Sequence, residues 1–166
     1  DVIRTKVSAR TLQRARRFLD DVSVVREALE AMRIGGVHSM HDPTEGGVIN
    51  GVWEMAEAAQ KGVEVRRDRV RVAPETEQIC RSLEIDPLKT LGSGALLIAA
   101  EPSSAEEIVR SLRDLDIEAS VIGRFTPSGE GRWIVDKNGN RDRLVPPYQD
   151  EVYRVLARHG VNRHQT

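Results

Sequence analysis

The chain has 166 residues with 25 Lys and Arg against 26 Asp and Glu, a formal charge of -1, 13 Gly, 7 Pro and a single cysteine, Cys80. That length suits one compact domain able to bury about two-thirds of its unfolded surface, with no need of a disulfide or structural metal. The near-neutral charge removes the global electrostatic argument for nucleic acid or a polybasic membrane contact, and no apolar run approaches the roughly 18 residues of a spanning helix, so a cytoplasmic protein with neither as partner is expected.

Asp1–Lys6 alternates weakly and predicts a strand remnant, and Ser8–Leu19 is an arginine-rich, solvated helix or lead-in. After Asp20 and Asp21, an acidic N-cap, Val22, Val25, Leu29 and Met32 recur at helical spacing until Gly35 and Gly36 stop the helix. A short apolar piece, Val37–Met40, leads into His41-Asp42-Pro43-Thr44-Glu45-Gly46-Gly47, and Val48, Val52, Met55, Ala56 and Ala59 mark a second amphipathic helix with Gly62 as its stop. Val63–Val72 reads as a half-buried strand and Pro74–Leu83 as a short helix broken by Asp86-Pro87. The loop Leu91-Gly92-Ser93-Gly94 then precedes Ala95–Ala100, an unbroken apolar run suited to a central strand. A helix capped by Ser103 or Ser104 carries Ile108, Leu112 and Leu115; strands follow at Ala119–Phe125, Arg132–Asp136 and Arg141–Val145, the last two joined by an Asn138-Gly139 turn, and a helix spans Tyr148–Arg158. This order predicts an α/β or α+β domain, a mixed sheet flanked by helices.

The stretch His38–Gly47 carries two readings. Asp42 as N-cap, Pro43 at the first helical position and Glu45 three residues beyond the cap make a capping box. Gly46 and Gly47 would then stand in the first turn, where each costs about 0.5–1 kcal/mol relative to alanine. Two such glycines imply a backbone that something approaches closely, or amides aimed at an anion at the positive end of a helix. His38, His41 and Asp42 have ligand chemistry suited to zinc, but no second cluster completes a site, so no metal site is assigned. Trp53 reads as core or interface, Cys80 as a packed small residue, and Arg10, Arg14, Arg16 and Arg17 as a solvated face or a contact with another domain.

The run GGVHSMHDPTEGGVINGVWEMAEAAQKGVEV resembles the aminoimidazole ribonucleotide synthetase superfamily, and within it the HypE-like hydrogenase expression/formation branch and its AIR synthase-related kin. His38, Met40, Asp42, Pro43, Thr44, Gly46, Gly47, Glu54, Ala56, Glu57, Ala58, Gly62 and Val63 carry the likeness, which continues through Leu83, Asp86, Pro87, Leu88, Ser93-Gly94-Ala95-Leu96 and Val121-Ile122-Gly123. The resemblance implies a two-domain, ATP-dependent, dimeric protein that phosphorylates, and so activates, an atom of a small substrate. It also implies that an N-terminal domain holds most of the ATP and Mg2+ site, and that the present C-terminal domain closes over it and is inactive alone. Residues 20–158 would be that domain, 1–19 a lead-in from the N-terminal domain with Asp1 as the seam, and 159–166 a disordered tail. The substrate- or nucleotide-binding residues implied are Asp42, Thr44, Gly46, Gly47, Ser93 and Gly94. The chain ends without the C-terminal cysteine of hydrogenase maturation, so that activity is not expected in the strict sense, and Glu45 stands where that branch often has Arg, beside any phosphate. A non-catalytic assembly module and a regulatory small-molecule-binding domain are the rival readings.

Overall fold

A computed structural model of the protein describes residues 2–145 and 149–159. The expected tail over 160–166 and the expected helix start at Tyr148 lie outside the described residues. Seven α-helices and six strands are assigned among the described residues: α1 Val2–Lys6, α2 Ala9–Arg16, α3 Val25–Ile34, β1 Val37–His41, α4 Gly47–Ala58, β2 Gly62–Arg66, α5 Pro74–Leu83, β3 Leu97–Ala100, α6 Pro102–Asp114, β4 Gly123–Thr126, β5 Arg132–Val135, β6 Arg141–Arg143 and α7 Glu151–Arg158. The α/β class with mixed pairing is as expected. The strands divide into two sheets, an antiparallel pair β1-β3 and a four-stranded sheet ordered β4-β2-β5-β6, in which β2 and β5 run parallel.

Two clusters hold these layers. Ile49, Val52 and Ala56 from one face of α4 meet Val63 and Val65 of β2, Leu88, Leu97 and Leu144. Ala31 of α3 meets Ile108 and Leu112 of α6, with Val37, Met40, Ile98 and Ala100 of the small sheet beneath. Trp53 packs at the edge of the first cluster, where the Arg132 guanidinium lies 5.4 Å from its ring centroid.

Several local expectations are corrected. Residues 2–6 are helical rather than a strand remnant: an isolated strand would leave its amides unpaired, whereas the helical turn pairs the Val7 amide with the Ile3 carbonyl at 2.9 Å. The lead-in packs on α5 through Thr11 to Gln78 at 3.0 Å and Arg14 to Glu75 at 2.6 Å. Neither Asp20 nor Asp21 caps α3, whose N-cap is Val24, and α6 starts at Pro102 behind Glu101 with no side-chain cap. Gly62 is not the stop of α4; Gln60 takes the left-handed conformation at φ 52°, and Gly62 opens β2 where a Cβ would lie 2.4 Å from Thr126 Oγ1 and 2.6 Å from the Gly131 carbonyl. The apolar run at 95–100 forms a strand only over Leu97–Ala100, and it pairs with β1 alone instead of lying at a sheet centre. Its burial comes from helices on the sheet face, which an apolar run cannot distinguish from central placement. Finally, α3 forms where the Val22, Val25, Leu29 and Met32 repeat predicts it, yet all four side chains are exposed.

Candidate functional site

β1 delivers the chain to His41, and residues 42–46 then turn into α4. The capping box is not formed: α4 begins at Gly47, and its N-cap is Gly46 at φ 75° and ψ 3°, with no side-chain cap. Gly46 and Gly47, at φ 75° and 61°, are both left-handed, a conformation that glycine adopts without the Cβ penalty of other residues. Two consecutive glycines therefore move the helix start beyond the position that Asp42-Pro43 signals. Pro43 is fully buried, while Asp42, Thr44 and Glu45 are exposed.

The second candidate loop lies against the first. The Thr44 carbonyl accepts from the Gly47 amide at 3.1 Å and from the Gly92 amide at 3.3 Å, joining the two loops through one oxygen. A Cβ on Gly92 would sit 2.8 Å from the Pro43 carbonyl oxygen, so the two backbones are in close contact. The structure thus brings Asp42, Thr44 and Ser93 to one edge with exposed side chains, places Gly94 beside them at φ 89°, and buries Gly46 and Gly47 behind.

An anion does occupy the start of α4, but it belongs to the chain itself. Asp150, 2% exposed, accepts from the Gly46 amide at 2.9 Å and from Thr90 Oγ1 at 3.3 Å, and caps α7 through the Val152 amide at 2.8 Å. A carboxylate at a helix N-terminus is favoured by the unpaired amides and the helix dipole. Around it the Tyr153 hydroxyl donates to Glu45, and the Asp86 amide donates to Glu151 at 2.6 Å. Burial pushes the Asp86 carboxyl up, but the Arg67 guanidinium at 2.6 Å, the Leu88 amide and the Arg67 and Lys89 charges outweigh it and hold the group below its ordinary range. Asp150 as the cap of α7 has a local signal, an Asp immediately before a helical repeat. Its bond to an amide 104 residues away has none.

A further arrangement escaped the sequence reading. His41 Nε2 lies 2.7 Å from Glu54 Oε2, and Asn50 Nδ2 donates to Glu54 Oε1 at 3.0 Å and to the Glu45 carbonyl at 3.1 Å. Asn50 and Glu54 stand one helical turn apart on α4, the spacing that puts side chains on one face. This polar group flanks the Asp42 edge. Among the described residues no group of three or more His, Cys, Asp or Glu could hold a metal ion.

Cys80 is buried, and burial followed by the Asp86 and Glu151 charges pushes its thiol up to about 11. At pH 8 the native chain is expected to resist iodoacetamide, while the unfolded chain reacts, because the thiolate is the nucleophile. With the native value raised, unfolding releases the proton first, so stability contributed by this group is present below the ordinary thiol value and is lost as pH rises through about 11. Alkylation at equal rates in native and unfolded states would contradict this environment.

A family model described as AIR synthase related protein, C-terminal domain, matches residues 7–136. The putative hydrogenase expression/formation protein MJ0676 of Methanocaldococcus jannaschii is 30% identical over 81% of the chain and 41% of its own length. Carbamoyl dehydratase HypE of Escherichia coli is 32% identical over 83% of the chain and 42% of its own length. A crystal structure of hydrogenase maturation protein HypE in complex with ATP superposes with a TM-score of 0.69 at 25% identity, covering 76% of this chain and 41% of that one. The chain therefore spans about two-fifths of the length of these relatives. No helix among the described residues is long and apolar enough to cross a membrane.

Proposed function

Because the chain belongs to the AIR synthase related protein family, as its C-terminal domain, we propose that it forms one wall of a nucleotide- and substrate-binding cleft completed by an N-terminal companion domain. The whole is an ATP-dependent, dimeric protein that activates an oxygen of a small substrate by phosphorylation, and this domain is inactive alone. The observation that carries the reading is the Thr44 carbonyl, which accepts from the Gly92 amide as well as the Gly47 amide and so joins two sequence-distant candidate loops into one edge. The relative seen with ATP supports a nucleotide in the family.

The residues present define what this wall can contribute. The Gly46 and Gly47 amides already bond Asp150 and the Thr44 carbonyl, so neither is open to a phosphate, and Glu45 places a carboxylate beside them. The exposed Asp42 carboxylate and the Thr44 and Ser93 hydroxyls remain to orient a substrate. Magnesium takes six oxygen ligands, and Asp42 could supply one, leaving the rest to the companion domain, water and phosphate. When bound, the nucleotide would supply the phosphoryl group, and these residues would bind and exclude water around its acceptor. The rival reading, a non-catalytic assembly module, is favoured by one observation, the occupation of the Gly46 amide by the chain's own carboxylate.

Calorimetric titration of the two-domain protein with Mg-ATP and candidate metabolites separates the two. Asp42→Ala and Ser93→Ala are each expected to weaken binding about tenfold, the loss of one charge-assisted hydrogen bond. Both side chains are exposed, so thermal stability should stay near wild type. Unchanged affinity in the double variant would remove this edge from the cleft.

A further inference from the structure

The repeat at the start of the chain leaves its apolar face outside the core. Val22, Val25, Leu29 and Met32 are 46%, 61%, 66% and 60% exposed. On α3 itself, Val25, Leu29 and Met32 fall at the i, i+4, i+7 spacing that aligns one helical face. The opposite sector holds Ala31, fully buried against Ile108 and Leu112 of α6, so α3 has a covered apolar side and a second one that the described residues do not cover. Single-chain surfaces rarely keep contiguous large apolar side chains in water unless something binds them.

The position of this stripe points to its occupant. A Cβ on Gly94 would lie 3.0 Å from the Asp21 carbonyl and 3.5 Å from the Val22 Cα, so the stripe begins directly behind the Ser93-Gly94 loop of the candidate edge. The family match is to a C-terminal domain, and more than half of each relative's length lies outside the match. We infer that the outer face of α3, with Val22, is the docking surface for the N-terminal companion domain, which is thereby set beside Ser93 and Gly94. The inference rests on the two-domain reading above and goes beyond it in naming the surface.

Sedimentation velocity of this chain mixed with the part of M. jannaschii MJ0676 that lies outside the match, used as the probe, tests it. A complex is expected, weakened at least tenfold by Leu29→Asp and by Met32→Glu and unchanged by Phe125→Asp, an exposed apolar control on the edge strand β4. Leu29 and Met32 are exposed, and far-UV circular dichroism of each variant should match wild type. A complex indifferent to Leu29→Asp and Met32→Glu overturns the surface while leaving the two-domain reading standing. Self-association of the chain alone that Leu29→Asp abolishes also overturns it and assigns the stripe to a second copy.

Discussion

Asp150→Ala is expected to destabilise the domain by about 3 kcal/mol, the sum of a lost cap and of charge-assisted hydrogen bonds to a buried carboxylate. The side chain is 2% exposed and serves three donors from three parts of the chain: the Gly46 amide at the start of α4, Thr90 Oγ1 after α5, and the Val152 amide in α7. Alanine leaves the Gly46 amide buried without its acceptor, and the full desolvation cost of that donor then appears. For a chain of this length the loss corresponds to a fall in melting temperature of about 6–12 °C. Asp150→Asn, which keeps one acceptor oxygen in nearly the same volume, should cost about half as much. Calorimetry gives the totals, and hydrogen exchange locates them: the amides of α7 should lose protection first, because its Tyr153 contact with Glu45 and Glu151 contact with the Asp86 amide depend on the same docking. A cost below about 1 kcal/mol for alanine would show that hydrophobic contacts hold α7 and that the carboxylate merely fills the space.

Asp150 also marks where sequence reading reaches its limit. Elements whose signals are local were legible: Pro74 opens α5 and Leu83 ends it as the pattern predicts, and the Asn138-Gly139 turn appears with Gly139 at φ 88° between β5 and β6. Asp42-Pro43 is an equally good local signal for a helix start, yet α4 begins only at Gly47. The left-handed Gly46-Gly47 pair and the Leu88 and Thr90 carbonyls packed against it decide the point, and those partners are distant in sequence. The candidate edge was legible in its residue types, but the hydrogen bond that joins Gly92 to Thr44 is tertiary and has no periodicity. The α3 stripe shows the reverse case: a clear helical repeat correctly gives a helix, while periodicity alone does not say whether its own chain covers the apolar face.

Gly47→Ala is expected to be the most damaging single-methyl addition in this loop, at about 4 kcal/mol, because strain and overlap coincide there. At φ 61° an alanine pays about 1–2 kcal/mol for the left-handed conformation. Its Cβ would also lie 2.5 Å from the Thr90 carbonyl oxygen and 2.8 Å from that of Leu88, both backbone atoms that cannot rotate away. Their segment is pinned by buried Leu88, by the Asp86 carboxylate on the Leu88 amide at 3.0 Å and by the Thr90 bond to Asp150. Gly139→Ala isolates the strain component, since a methyl group on Gly139, at φ 88° in the turn between β5 and β6, would have nothing within 4 Å. Urea unfolding of both variants should therefore give a gap of about 2–3 kcal/mol, the overlap component, and equal costs would mean that the loop relaxes and the close approach is not what selects glycine. The result bears on function, because the fold by itself requires Gly47. Loss of ligand binding in a bulky Gly47 variant would report a displaced α4, whereas Asp42 and Ser93, exposed on the edge, can be changed without moving it.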